Sequence, residues 1–232
     1  MIRCGKIIET FTYEKGFYYS RDPFPVKEHE KHEEQRKDHL MRAQGMIRRL
    51  VNANSNAYGY KPIFITYTFA ENIIDLKEAN LLYTAHMRVL KRLIGQNLRY
   101  VVVPEFQEKR AKKDGKGAWH YHTIFFDLPY VKGIKKILSE AWPHGFFKVK
   151  TIRHVRNIGA YVSKYFSKQW AKRRPLHTKS YFTSFGLIQP VTSYQQVHFQ
   201  EIAESCRMNE EMSRSYDTQK FGKIIYKQYR II

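Results

Sequence analysis

Ala118-Trp119-His120-Tyr121-His122-Thr123-Ile124-Phe125-Phe126 reads as a β-strand, rich in aromatic and β-branched residues. Side chains alternate faces along a strand, so His120 and His122 point the same way. Two imidazoles on one face can share a metal ion, or they can be ordinary strand histidines. Trp119 and Tyr121 alternate with them and belong to a core on the other face. His144, His154, His177 and His198 show no comparable pairing. Two features outside the strand bear on the choice. Glu105 ends the preceding apolar run, and a basic segment downstream carries Tyr161 and Tyr165.

The chain has 232 residues, enough for one domain with a real core, with or without appendages. Its 41 Lys+Arg stand against 21 Asp+Glu, a net charge of +20, and it holds 17 Tyr and 15 Phe. Cations track phosphates and aromatics stack on bases, so this balance points to a polyanionic partner. A hydrophobic content of 43% argues against global disorder. Cys4 and Cys206 are the only cysteines, which excludes a disulfide scaffold and a cysteine-based zinc finger and fits a reducing compartment. No apolar run approaches the roughly 18 residues of a membrane span, and the start lacks a signal-peptide core. No Gly-x4-Gly-Lys-Ser/Thr loop occurs, so no ATPase motor is expected.

Outward from the histidine strand, Arg99–Pro104 forms a second core strand ending at Glu105, with a polar, lysine-rich loop over 107–117. Strand, loop and strand in this register predict an antiparallel pair. Pro62–Phe69 is a central strand, followed by a helix from about Asp75 to Gly95 with Leu81, Leu82, Ala85, Val89, Leu90 and Leu93 inward. Residues 131–142 suit a short helix, Gly145–Ile152 a fourth strand, and 154–170 a helix. Earlier, residues 6–20 read as a hairpin around Glu14-Lys15-Gly16. Residues 27–50 read as a charged helix whose apolar stripe strengthens toward Leu50 and Val51, and 52–59 as a loop. Later, 180–192 is loop and short strand, 194–213 helical, and 223–232 a strand.

The helix over 154–170 contains Tyr161-Val-Ser-Lys164-Tyr165-Phe-Ser-Lys168. Positions four apart share a helix face, so Tyr161 and Tyr165 are neighbours, each with a lysine three residues on. A phenol with a pKa near about 10 is a poor nucleophile unless cations help it ionise. The plain alternative is a core helix in which tyrosines only pack.

Taken together, these residues resemble the HUH endonucleases, and most closely the two-tyrosine rolling-circle replication initiators (Rep proteins) of small plasmids and single-stranded DNA phages. The resemblance rests on His120-Tyr121-His122, on the overlapping Tyr161-x-x-Lys164 and Tyr165-x-x-Lys168, and on Phe64-Ile-Thr66-Tyr-Thr68, which is similar to the family's first motif. It also rests on Glu105 and on the order of these motifs along residues 60–170. Ser184-Phe-Gly-Leu187-x-x-Pro190 adds a faint likeness. The loop before His120 is longer than in many relatives, which leaves Gln107 as an alternative to Glu105 as third ligand.

The resemblance implies an α+β fold: a ferredoxin-like or RRM-like HUH core, with a central antiparallel sheet flanked by helices. The expected division is an N-terminal extension over 1–59, the endonuclease domain over 60–190 and a C-terminal extension over 191–232. It implies Mg²⁺ or Mn²⁺ held by His120, His122 and Glu105. Tyr161 or Tyr165 attacks a DNA phosphate, Tyr161 favoured for the first cut, and Lys164 or Lys168 stabilises the phosphate or the phenolate. The products are a 5′-phosphotyrosyl link and a free 3′-hydroxyl primer. Lys109, Arg110, Lys112, Lys113, Lys172, Arg173 and Arg174 are expected to hold DNA phosphates. The partners implied are single-stranded DNA at a replication origin or its hairpin, with a host helicase and polymerase, in the cytoplasm of a bacterial or other host. Competing readings are a single-strand transposase, a relaxase of the same superfamily, or a non-catalytic RRM-like nucleic-acid-binding module.

Overall fold

The computed structural model describes residues 1–15, 31–107, 117–152, 155–165, 179–218 and 221–232. Strands β1 (Ile2–Cys4) and β2 (Ile7–Tyr13) precede helix α1 (Lys31–Asn54). Then come β3 (Ile63–Phe69), α2 (Leu76–Ile94), β4 (Tyr100–Phe106), β5 (Trp119–Phe125), α3 (Ile134–Ala141), β6 (Gly145–Thr151) and α4 (Ile158–Ser163). The chain continues through β7 (Phe182–Thr183), β8 (Val191–Thr192), α5 (Gln196–Ser205), β9 (Met208–Thr218) and β10 (Gly222–Ile231).

The central sheet has the order β6-β3-β5-β4-β7, and every neighbouring pair is antiparallel. Its first four strands, with α2 and α3 as crossovers, make the β-α-β-β-α-β arrangement of a ferredoxin-like core. The fold is therefore α+β, as the sequence implied. One face of the sheet packs on α2 and α3. Tyr67 and Phe69 of β3 and Tyr121 of β5 meet Tyr83 and Trp142 there, with Tyr83 stacked on Tyr121 at 4.3 Å. Asp75 caps α2 by accepting from Lys77 N at 2.8 Å, and Gly95 ends the helix in the left-handed region.

The inward stripe of α2 differs from the expected one. It is Leu76, Ala79, Tyr83, His86, Met87 and Leu90, whereas Leu81 is exposed. A stripe drawn from aliphatic residues alone misses this. The helix turns its aromatic, imidazole and thioether side chains inward, to stack on an aromatic sheet face.

Burial of His86 carries a proton penalty. Its Nδ1 lies 2.8 Å from the Ala141 carbonyl, and its Nε2 has no partner among the described residues. Burial pushes its pKa from 6.5 down to about 4, against the opposing hydrogen bond to Ala141. Below the unfolded value the unfolded chain takes up a proton that the folded chain refuses. Stability is therefore full above about pH 6.5 and falls as pH drops toward 4, by about 3 kcal/mol at about 1.4 kcal/mol per pH unit. Urea unfolding at pH 7 and pH 4.5 checks this. The loss on acidification should be clearly smaller in His86→Gln than in the wild type, and equal losses would contradict it.

A second sheet, order β8-β1-β2-β10-β9, joins the two ends of the chain. It packs on α1 through Glu9, which is fully buried and accepts from Arg48 and Arg49, both at 2.7 Å. Two expectations are corrected here. The N-terminal hairpin turns at Gly5-Lys6 rather than at Glu14-Lys15-Gly16, because Gly5 takes the left-handed conformation (φ +63°) and Cys4 pairs with Ile7. Glu14 and Lys15 instead bond across to Lys223 and Phe221. The helix expected over 194–213 stops at Ser205, and Met208–Thr218 is a strand paired along β10. That strand is polar and mostly exposed, so no alternation marks it. α1 also extends through Asn54, into the stretch read as loop.

Among the described residues, no helix is long and apolar enough to cross a membrane.

Candidate active site

The second face of the central sheet carries the candidate residues. Antiparallel register sets them in rows, since directly paired residues share a face. One row is Phe146, Thr68, His120 and Glu105, the next Lys148, Thr66, His122 and Val103, and the third Lys150, Phe64, Ile124 and Val101. Glu105 is thus the direct cross-strand partner of His120. It lies inside β4 rather than ending it, and its carboxylate reaches diagonally to His122 Nε2 at 2.6 Å. His122 Nδ1 lies 3.0 Å from the Thr66 hydroxyl. With Glu105 ionised, Nε2 carries the proton and Nδ1 accepts from Thr66. The His120 and His122 ring centroids are 6.4 Å apart. Among the described residues, no three imidazole, carboxylate or thiol groups already stand as a metal cage.

α4 brings the tyrosines over this face. The helix is shorter than the expected 154–170: it begins at Ile158, and described residues end at Tyr165. Asn157 caps it, accepting from Ala160 N at 2.9 Å. α1 holds it in place. Asn52 accepts from Gly159 N at 2.9 Å and donates to Asn157 Oδ1 at 3.1 Å. At Gly159 the two helices approach so closely that a Cβ would overlap the carbonyl of Arg48.

From that anchor, Tyr165 stacks on His122 with ring centroids 3.9 Å apart, and Phe64 stacks on Tyr165 at 5.2 Å. The Phe64 ring also meets the edge of Tyr161 at 5.7 Å. The Tyr161 and Tyr165 hydroxyls are 3.3 Å apart. Tyr161 has Lys150 Nζ 5.0 Å and Lys164 Nζ 5.8 Å from its ring centroid.

The two phenols are therefore unlike. Burial acts to raise the pKa of Tyr161, but hydrogen bonds with Lys150 and Tyr165 and the charges of Lys150 and Lys164 outweigh it, and the net shift is downward. Tyr165 moves up, through burial first, then the Tyr161 hydroxyl and the Glu105 carboxylate.

The structure thus brings together Glu105, His120, His122, Tyr161, Tyr165 and, beside Tyr161, Lys164. Gln107 follows β4, its N–H bonded to the Ala118 carbonyl at 3.0 Å. Lys168, Lys109, Arg110, Lys112, Lys113, Lys172, Arg173 and Arg174 lie outside the described residues. Three residues at the site are not singled out by the sequence. Lys150 sits on β6 at the register of Phe64, while Asn52 and Gly159 fix α4. Alternation along Gly145–Thr151 places Phe146, Lys148 and Lys150 on one face, but which face requires the pairing with β3.

Neither curated proteins nor solved structures yield a match to the chain. Residues 62–170, which span the four main strands of the central sheet, both histidines and both tyrosines, match the model of a family described as replication-associated protein, of the ORF2 kind.

Proposed function

We propose that the chain is a rolling-circle replication initiator that nicks and rejoins single-stranded DNA at an origin through a tyrosine nucleophile. One observation carries this reading: a pair of tyrosine hydroxyls 3.3 Å apart, stacked directly onto a histidine that shares its sheet face with a second histidine and a carboxylate. A packing helix has no need of that arrangement.

His120, His122 and Glu105 suit a divalent ion by chemistry and placement. Two imidazoles and a carboxylate from adjacent strands form an N₂O set that leaves room for water and phosphate, which fits Mn²⁺ or Mg²⁺. Glu105 would turn from His122 to join it. The ion, when bound, supplies charge that polarises the scissile phosphate. The rest is done by the chain itself. Tyr161, with its hydroxyl acidified by lysines, is the first nucleophile. Its Oη–P bond forms as the P–O3′ bond breaks. The electron pair leaves on O3′, which takes a proton from solvent, and the phenol proton goes to solvent. The products are a 5′-phosphotyrosyl link and a 3′-hydroxyl that primes synthesis. Tyr165, 3.3 Å away, is placed to take over the strand in a second transfer. The phosphotyrosine conserves the bond energy, so the same site rejoins strands without ATP. Unwinding and synthesis fall to a host helicase and polymerase.

The test is a denaturing gel with labelled single-stranded oligonucleotides tiled across the protein's own replicon. A Mn²⁺-dependent band that survives SDS, and is lost with EDTA and in Tyr161→Phe/Tyr165→Phe, is expected. Tight native binding with no covalent band on any strand would instead favour a non-catalytic nucleic-acid-binding module.

A further inference from the structure

We infer that Lys150, on strand β6, is the cation that serves Tyr161 in the attack, a role the Tyr-x-x-Lys spacing assigns to Lys164. The inference rests on the reading of Tyr161 as a nucleophile and adds a catalytic residue from outside the tyrosine helix.

Register is the first support. Lys150 is the cross-strand partner of Phe64, and the Phe64 ring is the platform under both tyrosines. Any residue at position 150 therefore projects from the sheet toward Tyr161. Proximity is the second: the Lys150 amine is 5.0 Å from the Tyr161 ring centroid, nearer than Lys164 at 5.8 Å. Anchorage is the third. β6 is paired to β3 from Gly145 to Thr151, whereas Lys164 follows the last residue of a short helix and only caps it. A side chain rooted in a sheet holds its position better than one at a helix end, and positioning is what a charge at a reacting atom requires. The titratable and charged groups around Tyr161 are Lys150 from β6 and Lys164 and Tyr165 from the tyrosine helix and its end.

In the step, the Lys150 ammonium donates an N–H to the Tyr161 oxygen as that oxygen loses its proton to solvent. It then stays charged beside the phenolate while the Oη–P bond forms and O3′ departs with its electron pair. Lys150 gains and loses no proton.

The experiment uses the full chain with Lys150→Ala, Lys150→Arg and Lys164→Ala, each also in a Tyr161→Phe background. Single-turnover adduct formation and DNA affinity are measured side by side. Lys150→Ala should slow adduct formation by about 10- to 100-fold with affinity changed less than about threefold. Lys150→Arg should recover most of the rate. In Tyr161→Phe, where any adduct must form through Tyr165, Lys150→Ala should change the rate less than about twofold. A second readout needs no DNA: the ring ¹³C shift of Tyr161 against pH, whose midpoint should rise in Lys150→Ala and rise less in Lys164→Ala. The inference is overturned if Lys150→Ala cuts at the wild-type rate, if its effect persists undiminished in Tyr161→Phe, or if the Tyr161 midpoint does not move. A wild type that forms no adduct, with the midpoint shifted by Lys150→Ala, would overturn the nuclease reading and the catalytic role together, leaving only the contact.

Discussion

Tyr161→Phe is expected to slow the first nick by more than about 10³-fold, while Tyr165→Phe leaves that nick within about tenfold of wild type. The asymmetry follows from what surrounds each hydroxyl. Tyr161 is flanked by two lysines and held below the ordinary phenol pKa, so an ionised oxygen costs less there. Tyr165 is stacked on His122, lies near the Glu105 carboxylate, and is pushed the other way. Some slowing in Tyr165→Phe is still expected, because its hydroxyl hydrogen-bonds that of Tyr161. What Tyr165→Phe should lose is the second transfer, in which a strand already linked to Tyr161 is exchanged for a new one. Time courses of SDS-stable adduct with one oligonucleotide, then a chase with a second, separate the two events. Equal first-nick rates in the two single variants would show that the phenols are interchangeable, and would remove the argument from their surroundings.

Gly159→Ala should be the most damaging single methyl group in the described core. The added Cβ would overlap the carbonyl group of Arg48 and crowd the Asn52 side chain, so α4 must move away from α1. Backbone cannot yield as the end of a flexible side chain can. Overpacking of this kind, with strain on the hydrogen bonds from Asn52, is expected to cost about 3 kcal/mol. The tyrosines ride on the displaced helix, so nicking by the folded fraction should fall more than about tenfold even where the protein remains native. Gly45→Ala is the matched control. A Cβ at Gly45 would meet only the Arg49 side chain at 3.9 Å, and alanine favours a helix interior, so stability should hold or rise slightly. Urea midpoints and single-turnover rates for the pair check both statements. A Gly159→Ala protein with unchanged midpoint and rate would show that the helix contact is not what fixes the tyrosines.

Legibility in the sequence follows how local each determinant is. The central strands are readable because β-branched and aromatic runs such as Ile63–Phe69 carry their own signal, and α2 because Asp75 and Gly95 mark its ends. The pairing of His120 with His122 and of Tyr161 with Tyr165 needs only the periods of strand and helix. Lys150 is not legible, because its relevance depends on β6 lying against β3 with Lys150 opposite Phe64. Asn52 and Gly159 escape for the same reason: they matter through a helix–helix contact between residues far apart in the chain. The first part of β9 reads as helix because Met208–Thr218 is polar on both faces, and its strand state is imposed by β10.

The sheet formed by the chain's two ends sets an order of events during synthesis. β2 emerges from the ribosome early, yet its long partner β10 is complete only at Ile231. The central sheet, made from residues 63–151 with one brief addition from β7, has most of its strands available well before that. Non-local pairing is slow because chain closure comes before its reward. β2 must therefore wait with an open edge while the catalytic layer assembles. Translation to the last strand acts as a clock, and a chain cut short before β10 would carry a formed histidine face beside an unclosed, aggregation-prone edge.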